Sequence, residues 1–175
     1  MTAAPESTPE PTPGSKPDFA ILMVCTGNIC RSPTADGMLR HVLQRAGLSD
    51  RVLVDSAGTH DYHVGNPPDR RSVAHAKRFG IDLAGLRARQ VTVEDFAAFD
   101  LVLAMDEGHY HQLQKLCPPQ YRDRVKLYLT YAPRFGRDVP DPYYGNADGF
   151  DIVWRMCEAV TEALLSEINQ RLATK

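Results

Sequence analysis

The sequence predicts an α/β domain of three layers, a four-stranded parallel sheet flanked by helices. Three observations lead there. Short, wholly apolar runs recur along the chain, as in strands buried on both faces. They alternate with segments whose apolar residues fall at helical spacing. Glycines and turn residues separate the two kinds of segment. Strand–helix alternation of this kind implies crossover connections and a parallel sheet.

The first strand is Phe19 to Val24. A Gly-containing loop follows, then Ser32-Pro33, read as an N-cap and a first-turn proline. Ala35, Met38, Leu39, Val42, Leu43 and Ala46 lie at helical spacing and Gly47 stops them, which predicts a helix over 32–46. Arg51 to Asp55 is the second strand, closed by a turn at Ser56-Ala57-Gly58-Thr59. Pro68 to Phe79 is a helix ended by Gly80. Leu101 to Met105 is a strand, Glu107 to Leu116 a helix and Val125 to Leu129 the last strand. After a loop to about residue 147, Val153, Met156, Val160, Leu164 and Ile168 mark a long C-terminal helix. In such sheets, ligands bind beyond the carboxyl ends of the strands.

The chain has 175 residues, 43% hydrophobic and 24% charged, with a net charge of −2. That suits one globular domain and speaks against nucleic acid or an anionic membrane as partner. Residues 1–17 hold five prolines and almost no apolar surface. They predict a disordered tail, with 18–173 as the catalytic unit and a monomer as its state. The tail carries no apolar stretch of a secretory signal, so the expected setting is the cytoplasm and the four cysteines are expected as thiols. Cys117 and Cys157 sit in helical context and read as structural.

The chemistry concentrates in Val24-Cys25-Thr26-Gly27-Asn28-Ile29-Cys30-Arg31-Ser32-Pro33. A cysteine and an arginine at this spacing mean little alone. Here the cysteine ends a buried strand and the arginine opens a helix. Successive backbone N–H groups from Thr26 to Ser32 and a helix N-terminus make a cradle for phosphate. Gly27 and Asn28 tolerate the positive φ that a closing loop demands. Arg31 can grip two phosphate oxygens with its planar fork. The same groups favour Cys25 as a thiolate nucleophile, and the Ser32 hydroxyl can ease its later departure. The leaving oxygen needs a proton, and Asp141 in Asp138-Val139-Pro140-Asp141-Pro142-Tyr143-Tyr144-Gly145 can supply it, with Asp138 as rival. Prolines stiffen this loop, and Tyr143 and Tyr144 can wall an aromatic substrate. No metal or other cofactor is expected. Cys25 and Cys30 lack a second ligand pair, and His109 and His111, two apart on a helix, face different ways.

These segments, with Asp55-Ser56-Ala57-Gly58-Thr59, Ala88-Arg89-Gln90-Val91 and Met105-Asp106, resemble the low-molecular-weight protein tyrosine phosphatases over residues 19–172. The resemblance implies a flavodoxin-like fold of the phosphotyrosine phosphatase I type and a metal-independent hydrolase. Its substrates would be tyrosine-phosphorylated proteins, tyrosine kinases among them. Cys25 would be the nucleophile, Arg31 the transition-state clamp and Asp141 the general acid and then base. Asn28 and Ser32 would shape the loop, and Cys30 would form a reversible disulfide with Cys25. Tyr62 and His63 would stand at the substrate mouth opposite Tyr143 and Tyr144. One departure is Leu86, where many members carry a histidine that braces the loop; His75, on the preceding helix, is no obvious substitute.

Three other readings fit less well. Thioredoxin-coupled arsenate reductases of this fold need two further cysteines after the third strand, where this chain reads Met105-Asp106-Glu107-Gly108-His109. Phosphoarginine phosphatases carry a threonine where this chain has Ile29, whose apolar bulk suits an aryl ring. A non-catalytic phosphopeptide-binding module would need neither nucleophile nor acid.

Overall fold

The structure, a computed structural model, describes residues 15–175; most of the proline-rich tail, 1–14, lies outside the described residues. The sheet has four parallel strands in the order β2-β1-β3-β4. These are β1 (Phe19–Cys25), β2 (Val52–Gly58), β3 (Leu101–Ala104) and β4 (Val125–Leu127). The helices are α1 (Arg31–Arg45), α2 (Arg70–Lys77), the single turn α3 (Asp95–Ala98), α4 (Glu107–Leu116) and α5 (Asp148–Ala173).

β1 is central, and every residue in it is buried. Its side chains alternate between two cores. Ile21 and Met23 meet Met38 and Leu39 of α1 and Val153, Val160 and Leu164 of α5. Ala20, Leu22 and Val24 meet Phe96 and Phe99 around α3 and Leu113 of α4. Helices therefore cover both faces, and the three predicted layers are present. The chain leaves β1 toward β2 on one side and later returns to β3 on the other. The crevice produced by that reversal opens at the carboxyl ends of β1 and β3, beside Cys25 and Asp106.

Several boundaries differ from the expected ones. β2 runs through the supposed turn at Ser56-Ala57-Gly58, because its ladder with β1 continues to the pair Cys25 and Gly58. β3 stops at Ala104, one residue short, and β4 ends at Leu127 before a 3₁₀ turn over Tyr128–Tyr131. α2 is shorter than Pro68 to Phe79. Asp69 caps it, its side chain accepting from the Arg71 N–H at 2.8 Å, and Gly80 follows with φ +76°. α1 begins at Arg31, with Cys30 at the cap position and no capping side chain. Ser32 is thus inside the helix rather than at its cap, because its hydroxyl is turned to the loop instead.

Candidate active site

The loop from Cys25 to Arg31 hangs from the end of β1 and is tied down on several sides. The Thr59 N–H donates to the Cys25 carbonyl at 2.8 Å, the His60 N–H to the Thr26 carbonyl at 3.0 Å and the Asp69 N–H to the Ile29 carbonyl at 2.8 Å. Asn28 alone of the loop takes a positive φ, +58°. Its side chain bridges outward and inward: Oδ1 accepts from the Arg89 N–H at 3.1 Å, and Nδ2 donates to Ser32 Oγ at 2.8 Å. Ser32 Oγ in turn lies 3.0 Å from Cys25 Sγ. Gly27 is needed for space rather than for φ. A Cβ there would stand 2.8 Å from the His63 ring.

The brace expected near Leu86 is supplied differently. Leu86 packs against the main core, while the Arg89 backbone holds Asn28. Arg89 is itself pinned by Asp55 at 3.0 Å and by both oxygens of Asp95 at 2.9 and 3.1 Å. His75 is elsewhere, paired with Asp151 at 2.5 Å and packed on Phe79 and Trp154.

Arg31 is 4% exposed, so its charge needs partners on every side. Nη1 donates to Asp106 Oδ2 at 3.0 Å and to the Val139 carbonyl at 3.1 Å. Nη2 donates to Thr26 Oγ1 at 3.4 Å and lies 3.6 Å from Asp141 Oδ2. Asp141 also accepts from the Tyr143 N–H at 3.1 Å, which fixes the direction of its carboxylate. The rival carboxylate is occupied elsewhere: Asp138 Oδ1 accepts from the Glu107 N–H at 2.9 Å, at the start of α4.

A cleft of about 230 Å³ brings together Cys25, Thr26, Gly27, Ile29, Cys30, Arg31, Tyr62, His63, Asp141, Tyr143 and Tyr144. Tyr62 stacks on His60 at 4.8 Å, and the His63 and Tyr143 rings stand 6.5 Å apart across the cleft. Asn28 and Ser32, also expected to contact phosphate, are buried beneath the loop and act on it from behind. The Cys30 thiol is pushed up to about 12, chiefly by burial and then by the Asp69 charge, so it stands protonated beside Cys25. Among the described residues no cluster of three His, Cys, Asp or Glu side chains could hold a metal. A larger cleft of about 400 Å³ lies by α1 and β2, away from these groups.

One neighbour of this cleft is legible in the sequence only as half of a histidine pair unsuited to a metal. His109, 4% exposed, places Nε2 2.7 Å from Thr26 Oγ1. Its backbone N–H donates to Asp106 Oδ1 at 2.9 Å. The available signal was its place three residues after Asp106, in the first turn of a helix starting at the carboxyl end of β3.

The family model described as low molecular weight phosphotyrosine protein phosphatase matches residues 20–174. The chain belongs to that family. The rat low molecular weight phosphotyrosine protein phosphatase is 40% identical over 158 residues, 89% of this chain and 98% of the rat protein. The low molecular weight protein-tyrosine-phosphatase of Streptomyces coelicolor is 40% identical over 161 residues, 88% of this chain and 96% of that protein. Among solved structures, a protein tyrosine phosphatase from Entamoeba histolytica with Hepes in the active site superposes with a TM-score of 0.83. It is 35% identical and covers 87% of this chain and 97% of its own. The phosphatase fold thus extends over nearly all the described residues.

Proposed function

We propose that this phosphatase-family chain, with residues 18–173 as its catalytic unit, hydrolyses phosphotyrosine in proteins through a cysteinyl-phosphate. The observation that carries this reading is the convergence on one cleft of Cys25 Sγ, the Arg31 guanidinium and the Asp141 carboxylate. The Cys25 thiolate attacks phosphorus while the backbone N–H groups of the loop and Arg31 hold the phosphoryl oxygens. The bond from phosphorus to the tyrosyl oxygen breaks, and Asp141 delivers its proton to that oxygen. Water then attacks the cysteinyl-phosphate, giving its proton to the Asp141 carboxylate. Phosphate leaves, and the Ser32 hydroxyl, 3.0 Å from the sulfur, stabilises the returning thiolate.

The cleft walls favour an aryl substrate over phosphoarginine. Ile29 is apolar and half-buried, and it lines the cleft together with Tyr62, His63, Tyr143 and Tyr144. A guanidino group would find no hydroxyl at the Ile29 position. The proposed setting is the cytoplasm, the proposed state a monomer, and tyrosine kinases stand among the proposed substrates. Cys30, sharing the cleft with Cys25 as a free thiol, is proposed to trap an oxidised Cys25 as a reversible disulfide.

Cys25→Ser tests the nucleophile. It is expected to abolish p-nitrophenyl phosphate hydrolysis and leave phosphate binding measurable by calorimetry; normal turnover in that variant refutes the mechanism. A phosphotyrosine peptide is expected to be turned over faster than a phosphoarginine peptide of the same sequence, and the reverse order refutes the substrate class.

A further inference from the structure

His109 sits behind the phosphate clamp rather than in the cleft, and its contacts are specific. Nδ1 lies 3.2 Å from Asp106 Oδ1, close though not aligned as a hydrogen bond. A carboxylate tolerates a ring N–H at that distance and repels a ring lone pair, so the proton belongs on Nδ1. Nε2 is then an acceptor, and the Thr26 hydroxyl donates to it across 2.7 Å. With its proton so engaged, Thr26 Oγ1 turns a lone pair toward Arg31 Nη2 at 3.4 Å. The other end of the same unit is Asp106. Its Oδ1 is held by the His109 N–H at 2.9 Å, and its Oδ2 holds Arg31 Nη1 at 3.0 Å. Two of the acceptors around the guanidinium are therefore set by one residue. Burial and the facing Arg31 charge keep the ring neutral.

We infer that His109 is a positioning residue for phosphoryl transfer, orienting the Thr26 hydroxyl and the Asp106 carboxylate so that they hold the Arg31 guanidinium at the cleft. The inference rests on the reading of Arg31 as the phosphate clamp. A clamp held in place gains most where charge is spread over three equatorial oxygens, in the transition state, and less on bound phosphate.

The test compares wild type with His109→Phe, His109→Gln, Thr26→Val and the double variant Thr26→Val/His109→Phe. Phenylalanine fills the ring's space and offers no acceptor; the glutamine amide oxygen reaches about where Nε2 lies. Three quantities are read: p-nitrophenyl phosphate turnover, and calorimetric affinity for orthovanadate and for inorganic phosphate. Vanadate takes five-coordinate geometry on a thiolate and so mimics the transition state. His109→Phe and Thr26→Val are each expected to lower kcat/KM about tenfold, the scale of one lost hydrogen bond. Vanadate affinity is expected to fall alongside and phosphate affinity to change by less than about threefold. The double variant is expected to be no worse than either single, since both cut the same link, and glutamine to restore most of the loss. Vanadate and phosphate weakened equally, or additive losses in the double variant, would overturn the inference. So would unchanged vanadate affinity in Thr26→Val, which decides the matter if His109→Phe does not fold. The affinities do not depend on turnover. A wild-type chain inactive on p-nitrophenyl phosphate therefore refutes the functional reading separately.

Discussion

At the scale of single residues, the two carboxylates of the acid loop are separated by what they touch. Asp141 faces the cleft within 3.6 Å of Arg31, while Asp138 closes the start of α4. Asp141→Ala is expected to lower kcat by roughly 10²–10⁴, the usual contribution of a general acid. Asp138→Ala is expected to keep its kcat and lose about 1 kcal/mol of stability, as when a helix loses a capping acceptor. Steady-state kinetics and thermal melts on the two variants check this, and a larger kcat loss in Asp138→Ala reverses the assignment. Much of the loop was legible because Cys, Asn and Arg each have few reasons to stand where they do. A serine before a proline reads as a cap, but Ser32 lies inside α1. Its hydroxyl is drawn inward, between Cys25 Sγ and Asn28 Nδ2. His109 is not legible as part of the site, because one histidine on a helix carries no pattern until the fold brings Thr26 against it.

At the scale of elements, β2 does more than complete the sheet. Its last residue, Gly58, pairs with Cys25, and its N–H and carbonyl engage Arg89 and Val91. A Cβ at Gly58 would stand 2.6 Å from the Thr26 carbonyl oxygen and 3.0 Å from that of His60, both backbone atoms that cannot swing aside. Gly58→Ala is therefore expected to push the phosphate loop away from β2. The expected result is a loss of kcat/KM larger than the loss of stability, read from kinetics beside a urea melt. Full activity in that variant would show that the loop tolerates displacement. On sequence, β2 ends at Asp55 because Ser56 and Gly58 are turn residues. The extension is dictated by the partner strand, whose register runs to Cys25. The one-turn helix α3, four residues long, is too short to show a helical period, whereas the apolar spacing of α5 shows its length at once.

At the scale of the whole molecule, site and stability share residues. The His109 ring is shifted down from 6.5 to about 4, first by burial and then by the Arg31 charge, so the folded protein refuses a proton that the unfolded chain binds. The stability tied to it is fully present above about pH 6.5 and is lost as pH falls toward about 4. The loss amounts to about 3 kcal/mol at most. Asp36, fully buried against Arg40 and Ser56, is pushed up by its burial and acts in the opposite sense. The clean comparison is therefore wild type against His109→Gln. Urea unfolding between pH 7 and pH 4 is expected to show the smaller decline in the variant, and parallel declines would mean that His109 titrates freely. The three-layer architecture was readable from alternation alone, since a strand buried on both faces needs helices on both faces. What alternation could not show is which loops meet at the crevice, because Asp106 and Asp141 reach Arg31 only once β3 lies beside β1.

The central claim, that Cys25 carries the phosphoryl group in the cleft that Arg31 and Asp141 close, is tested most directly by trapping the intermediate. The wild-type chain, in which Asp141 speeds formation of the intermediate, is mixed with a phosphotyrosine peptide, quenched by denaturation within milliseconds, digested and analysed by mass spectrometry. A single phosphoryl group bound through sulfur at Cys25, absent from Cys25→Ser, is the result expected. Phosphotyrosine turnover with no phosphoryl group on Cys25 at any quench time, or with the group on another residue, would contradict it.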